Sequence, residues 1–254
     1  MRFHNLKLAK ILQSPARGND TAALILAAGN STRMGGNRSK QFLPVLGIPA
    51  LAYTLTAYQA SPYISEIIVA ARREDFDAIA EIRKEFGVTK LRTVVTGGKT
   101  RQESARRAFA KISSNVSYVA IADGARCLIT PDEINSVCLE AYRYRAASAA
   151  HPVVGTVKRT EPGKNTVQET VEREGLWEAQ TPQIFHVALY GAAMDRAAKE
   201  GWEVTDDNEL VERLGTPVHL VECSQENIKI TTPEDLKLAE AILSMRIAEA
   251  EEET

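Results

Sequence analysis

Between Ala27 and Lys40 the chain reads Ala-Ala-Gly-Asn-Ser-Thr-Arg-Met-Gly-Gly-Asn-Arg-Ser-Lys. Small residues let main-chain N–H groups come close to an anion. Arg33 and Lys40, seven positions apart, add fixed positive charge. A polyphosphate needs both, because charge that develops while a phosphorus–oxygen bond is exchanged must meet donors already in place. The loop matches neither G-x-x-x-x-G-K-[ST] nor G-x-G-x-x-G. A surface turn with solvated cations would share its composition, so residue order carries the argument. Asp123, ahead of Gly124-Ala125-Arg126, offers a carboxylate that could meet a sugar hydroxyl or Mg²⁺, which takes one or two carboxylates beside phosphate oxygens. An ordinary Asp-Gly turn is the alternative. Thr96 to Ser104 sets Gly97 and Gly98 before a helix start, where a phosphate or a carbonyl-rich base is favoured. Capping by Thr100 with Glu103 accounts for the same residues.

The elements that must position these groups alternate along the chain. Ala22–Ala27, Glu66–Ala70, Leu91–Val95, Tyr118–Ala122 and Ala147–Val154 read as short buried strands. Pro49–Ala60, Glu74–Phe86 and Thr100–Ile112 have helical periodicity. Thr130-Pro131-Asp132-Glu133 starts a helix that should run to about Arg145, with a capping hydroxyl, proline at the first position and glutamate at the third. Such alternation predicts a mostly parallel sheet covered on both faces. Ligands bind such sheets at the carboxyl ends of strands, so Gly29, Gly97-Gly98 and Asp123-Gly124 should share one edge. After Val154 the pattern changes. Thr156–Arg159 and Thr166–Arg173 alternate polar and apolar residues around the turn at 161–165, which predicts a protruding β-hairpin arm over about 154–174. A lone hairpin is marginal in water, and a second copy of the chain is the expected support. Val218–Val221 reads as a strand, and Thr232-Pro233-Glu234-Asp235 opens a final helix.

The 254 residues predict a leader over 1–20, one α/β domain over 21–246, and a frayed acidic end over 247–254. Hydrophobic residues make up 44% and charged residues 25% of the chain, as in ordinary globular proteins. A net charge of −2 gives no global field for nucleic acid or a membrane surface, so phosphate recognition must be local. No apolar run approaches the ~20 residues that span a bilayer. Three cysteines without C-x-x-C spacing argue against a disulfide framework or a zinc site and point to a reducing, cytoplasmic compartment. The histidines show no ligand spacing. The absence of a dinucleotide glycine fingerprint argues against a nicotinamide-dependent dehydrogenase.

A-A-G-x-x-T-R-M followed by S-K-Q-F-L resembles the signature loop of nucleotidyltransferases that join a sugar phosphate to a nucleoside triphosphate. D-G-A-R at 123–126 is similar to the D-A-A-R loop of the cytidylyltransferases, and G-G-x-x-R-x-x-S at 97–104 to their nucleoside-binding segment. Thr156-Val157-Lys158-Arg159, Glu172 to Phe185, Thr205-Asp206-Asp207 and Asn227 to Thr231 narrow the match. Together these segments, over about 22–242, resemble the 2-C-methyl-D-erythritol 4-phosphate cytidylyltransferases of the non-mevalonate isoprenoid pathway. Four sites depart from the pattern. Ser31 stands where a second glycine is frequent, Ser39 where proline often precedes the lysine, Cys127 where proline is usual, and Val154-Gly155 where a charged pair is usual.

The resemblance implies a Rossmann-like α/β fold and a homodimer clasped by the arm. It implies transfer of CMP from CTP, with Mg²⁺, to the methylerythritol phosphate. By the same resemblance Arg33, Lys40 and Lys229 are catalytic. Ala27, Ala28 and Gly29 hold the triphosphate; Gly98, Arg101 and Ser104 hold the nucleoside. Asp123, Arg126 and Thr205 bind the sugar phosphate within the subunit, Thr156 and Arg173 reach it from the partner, and Asp123 is the metal ligand. Two rivals stay open on sequence: a ribitol 5-phosphate cytidylyltransferase, and a non-catalytic nucleotide-binding module.

Overall fold

A computed structural model describes residues 20–29 and 39–252 of the chain. Arg33 and Ser31, and the leader expected over 1–20 apart from Asp20, lie outside the described residues. The strands are β1 (Thr21–Ala27), β2 (Pro44–Val45), β3 (Ile48–Pro49), β4 (Ile64–Ala71), β5 (Leu91–Thr96), β6 (Tyr118–Asp123), β7 (Ala146–Pro152), β8 (Lys158–Thr160), β9 (Val167–Thr170), β10 (Trp177–His186) and β11 (His219–Glu222). The α-helices are α1 (Ala50–Ala60), α2 (Phe76–Glu85), α3 (Arg101–Phe109), α4 (Pro131–Tyr144), α5 (Val187–Glu200), α6 (Asp207–Glu212) and α7 (Pro233–Glu252). The acidic segment expected to fray is helical as far as Glu252.

Seven strands form one sheet in the order β11-β7-β10-β6-β1-β4-β5. Every neighbouring pair is parallel except those made by β10, which runs antiparallel to β6 and β7. β1 is buried throughout, which requires cover on both faces. Ala23, Ile25 and Ala27 face one side, with Leu51, Leu55 and Tyr58 of α1, Ile79 of α2, and Ile134 and Val137 of α4. Leu24 and Leu26 face the other, with Ala105 of α3, Tyr190 and Met194 of α5, and Leu210 of α6. From β1 the chain runs outward to β4 and β5, then α3 carries it back to β6 on the opposite side of β1. The loops after β1 and β6 therefore leave in opposite directions and open a crevice at the carboxyl ends, where doubly wound sheets take ligands.

Local chemistry explains the predicted elements. α4 has the full capping box: Thr130 accepts the Glu133 N–H, and Glu133 accepts the Thr130 N–H. β7 ends at Pro152, two residues short of the expected strand. The arm exists, but its ladder is shorter than expected, pairing Lys158 with Thr170 and Arg159 with Glu169, and both strands are exposed. β10, α5 and α6 were not predicted. Pro182 and the buried polar residues Gln180, Thr181 and Gln183 conceal a central strand. The register of β10 against β7 shifts between Ala179 and Gln183, around that proline. α5 is capped by His186 rather than by a common capping residue, which hides its start. Cys127, Cys138 and Cys223 are free and buried, and burial raises their thiols to about 11, about 12 and about 12.

Candidate nucleotide site

A cavity of about 340 Å³ lies at the crevice, lined by the ends of β1 and β6, the start of α3 and the segment before α7. Among the described residues its lining carries Lys40, Lys99, Arg101 and Lys229 against one carboxylate, Asp123. The field is thus strongly positive at this one place in a chain of net charge −2. Close packing makes the cavity. A Cβ on Gly97 would overlap the Ala28 methyl, and one on Gly98 would overlap the Glu103 side chain. The glycines let the β5–α3 loop lie against the loop after β1. Ser104 then fixes Gly98: its hydroxyl donates to the Thr100 carbonyl at 2.9 Å and accepts the Gly98 N–H at 2.9 Å. Thr100 caps α3 by accepting the Glu103 N–H. The Glu103 carboxylate accepts from the Lys99 N–H instead of closing the expected box.

Asp123, at the end of β6, is the electrostatic centre. Lys229 Nζ lies 2.8 Å from its Oδ2, Arg101 Nε 3.6 Å from Oδ1, and Arg126 Nε 3.9 Å from Oδ2. Burial would raise its pKa, but the charges of Arg101, Lys229 and Arg126, and the bond from Lys229, hold it below the ordinary carboxylate value. Behind it stands a polar scaffold. The Asp123 N–H donates to Thr181 Oγ1, and Asn227 Nδ2 donates to Gln180 Oε1 and the Thr181 carbonyl. Arg126 in turn donates to the Asn227 carbonyl. The N–H of buried Ile230 donates to the Ala125 carbonyl and so locks its neighbour Lys229 over the cavity. The polar run that disguised β10 is therefore the support for Asp123, Arg126 and Lys229.

Arg101 has a second anchor. Its guanidinium pairs with Asp207, which also accepts from the Tyr190 hydroxyl at 2.5 Å. Asp207 is buried at the start of α6. The sequence singles out the segment 205–207 but gives Asp207 no role. Gln41 was also missed. It is buried, lines the cavity, and its Oε1 has no hydrogen-bond partner among the described residues.

The structure brings Ala28, Gly29, Lys40, Gly98, Arg101, Ser104, Asp123 and Lys229 to one cavity. Ala27 is wholly buried one position before it, and Arg126 stands behind Asp123. Arg33 lies outside the described residues. Thr205 lies in a separate recess beside Trp177, with its N–H donating to Glu209. Thr156 and Arg173 are on the exposed arm, where Arg173 donates to the Val154 carbonyl. Neither lines the cavity. The described residues hold no cluster of three or more His, Cys, Asp and Glu side chains able to bind a metal, and no helix long and apolar enough to cross a membrane.

A family model described as 2-C-methyl-D-erythritol 4-phosphate cytidylyltransferase matches residues 21–245. A relative of that name from Thermosynechococcus vestitus is 43% identical over 231 residues, 91% of this chain and 98% of its own. One from Synechocystis is 42% identical over 228 residues, covering 89% and 98%. The crystal structure of 4-diphosphocytidyl-2C-methyl-D-erythritol synthase from Anaerococcus prevotii superposes with a TM-score of 0.78 at 28% identity, covering 90% of this chain and all of that one. The crystal structure of 2-C-methyl-D-erythritol 4-phosphate cytidylyltransferase from Thermus thermophilus gives 0.71 at 34% identity, over 87% and 97%. These matches run the length of the sheet and through every segment that lines the cavity, and the chain belongs to the 2-C-methyl-D-erythritol 4-phosphate cytidylyltransferase family, CTP-dependent enzymes of isoprenoid synthesis.

Proposed function

We propose that this cavity binds CTP and that its cations carry CMP onto 2-C-methyl-D-erythritol 4-phosphate. The observation that supports the reading is the convergence of Lys40, Arg101 and Lys229 on a cavity with one carboxylate. An oxygen of the sugar phosphate attacks the α-phosphorus of CTP, the bond from that phosphorus to the bridging oxygen breaks, and pyrophosphate leaves. Two polyanions must meet, so repulsion is the chief obstacle. Lys40 and Arg33 neutralise the triphosphate and the five-coordinate transition state, and Lys229 receives the attacking phosphate. A phosphate dianion is already nucleophilic near neutral pH, so no general base is required. That accounts for chemistry carried by cations rather than by histidine or cysteine. Gly98, Arg101 and Ser104 hold the nucleoside.

Magnesium ion fits this donor set in one way. A lone carboxylate among cations cannot hold a bare divalent ion well, but an ion carried by the triphosphate needs few protein oxygens. Asp123 would be its protein ligand. When bound, the ion would offset triphosphate charge.

The enzyme acts as a cytoplasmic homodimer in this reading. The exposed arm crosses to the partner and delivers Thr156 and Arg173 to the partner's sugar phosphate, while Thr205 and Arg126 contact it within the subunit. Steady pyrophosphate release from CTP with methylerythritol phosphate, and much less with ribitol 5-phosphate, is the expected result. Equal rates with both polyols, or none with either, would overturn the assignment. Arg173→Ala should raise KM for the sugar phosphate roughly tenfold or more while leaving KM for CTP nearly unchanged. Mixed dimers of Arg173→Ala and Lys40→Ala subunits should regain part of the activity that each homodimer lacks. No recovery would show that each site is built from one chain.

A further inference from the structure

The residue that starts the Lys40 turn is held by a buried carboxylate from another part of the sheet edge. Ser39 precedes the short 3-10 turn Lys40–Phe42 and is 2% exposed. A serine in this position usually turns its hydroxyl onto the N–H groups that follow. Here it makes no such cap. Its Oγ donates instead to Asp75 Oδ2 at 3.2 Å, across 36 positions of sequence. Asp75 precedes α2 and is a preferred capping residue too, yet it also makes no side-chain cap. Its two oxygens are taken by Arg72, with Nε at 2.8 Å from Oδ2 and Nη2 at 2.9 Å from Oδ1, and by Ser39. Both residues thus forgo local helix capping and bond to one another. Arg72 directly follows β4, whose last residue, Ala71, accepts the Gly97 N–H at 2.8 Å. The chain Arg72–Asp75–Ser39 therefore links the Lys40 turn to the same strand end that seats the Gly97-Gly98 loop.

We infer that Asp75, braced by Arg72, is a positioning residue that sets Lys40 through the Ser39 hydroxyl. Neither Asp75 nor Ser39 lines the cavity, and Lys40, which does, is the side chain through which they act. Lys40 is a long side chain whose ammonium must already be in place when charge develops, and reorientation during the reaction would forfeit much of its value. The backbone at Ser39, φ −60° and ψ 133°, is one that proline adopts; its ring fixes φ near −65° by covalency. Ser39 reaches the same geometry, and the bond to Asp75 supplies the restraint the ring would give.

This rests on the proposed catalytic role of Lys40, and turnover by the unsubstituted enzyme is measured first; its absence would fall on the proposed function and not on this inference. Ser39→Ala should lower kcat about tenfold, with KM for CTP changed by less than about twofold and Tm lowered by only a few °C. Ser39→Pro should recover most of that loss. Asp75→Asn should lower kcat similarly in the parent, but by less than about twofold in the Ser39→Pro background, where the relay is bypassed. In the Lys40→Ala background Ser39→Ala should add less than about a further twofold. Overturning results would be a Ser39→Ala loss that persists undiminished without Lys40, an Asp75→Asn loss of equal size with and without Ser39→Pro, or a kcat for Ser39→Ala equal to the parent's. If Asp75→Asn fails to fold, the Ser39 and Lys40 pairs alone decide the matter.

Discussion

Replacing Lys40 with alanine should lower kcat by roughly 10²–10³-fold, the range for removing one donor aimed at developing charge. Lys40 opens a short turn at the cavity rim and lines the site beside Gly98 and Asp123. Its truncation removes charge without opening the core, since the turn's main-chain bonds, Phe42 N–H to Ser39 and Leu43 N–H to Lys40, do not need the side chain. Tm should therefore move by less than about 2 °C. KM for CTP should rise less than kcat falls, because a cation that follows charge in the transition state binds the ground state less strongly. Single-turnover pyrophosphate release with saturating CTP checks this. Near-parental rates would remove Lys40 from the chemistry and, with it, the relay through Ser39.

Asp123→Asn should impair both catalysis and stability. Asparagine keeps the shape but leaves Arg101, Arg126 and Lys229 without their shared counterion. Breaking a buried ion pair by removing one partner costs about 3–5 kcal/mol. Arg101 and Lys229 are 30% and 37% exposed, so solvent screens part of the loss. A fall of at most about 3 kcal/mol, or roughly 6–12 °C in Tm, is expected. Turnover should drop by at least about a hundredfold, because the Lys229 ammonium loses the carboxylate that places it, while Arg101 keeps Asp207 and Arg126 keeps the Asn227 carbonyl. The acid limb supplies an independent reading. Asp123 has a depressed folded pKa, so its contribution is fully present above the unfolded carboxylate value near pH ~4 and disappears as pH falls through the lower folded value. The variant should lose less stability than the parent as pH falls below about 5. Identical acid slopes, with Tm unchanged, would show that the cations are held without this carboxylate.

The parallel strands β1, β4 and β6 were legible because strands buried on both faces read as apolar runs, and β5, a half-buried edge strand, was legible from its β-branched residues. The helix starts at Thr100 and Thr130 were legible because a threonine hydroxyl caps the N–H three positions on, although only Thr130 closes the reciprocal box with its glutamate. The three loops of the cavity followed once those strands were placed, since parallel strands bring their carboxyl ends to one edge. β10 was not legible. Its middle is Gln-Thr-Pro-Gln, a sequence that reads as a loop and becomes strand because Gln180, Thr181 and Gln183 have polar partners inside the fold: Asn227, the Asp123 N–H and Asp206. Asp207 and Asp75 escaped for a related reason. Arg101 and Asp207 are 106 positions apart, and Ser39 and Asp75 are 36 apart. Pairings of that span have no local period, and appear only when the sheet order is known.

The three thiols have a practical consequence. Cys127, Cys138 and Cys223 are 3%, 0% and 7% exposed, and each is held far above the pH at which alkylating reagents are commonly used. Maleimides react with thiolate, so the folded chain should be nearly silent to them and its labelling rate should report opening of the fold. A cysteine introduced at exposed Val167 on the arm would be the fast-reacting group of the molecule. A fluorophore placed there would report whether the arm docks on a second copy of the chain, against a background that the protein's own interior keeps dark.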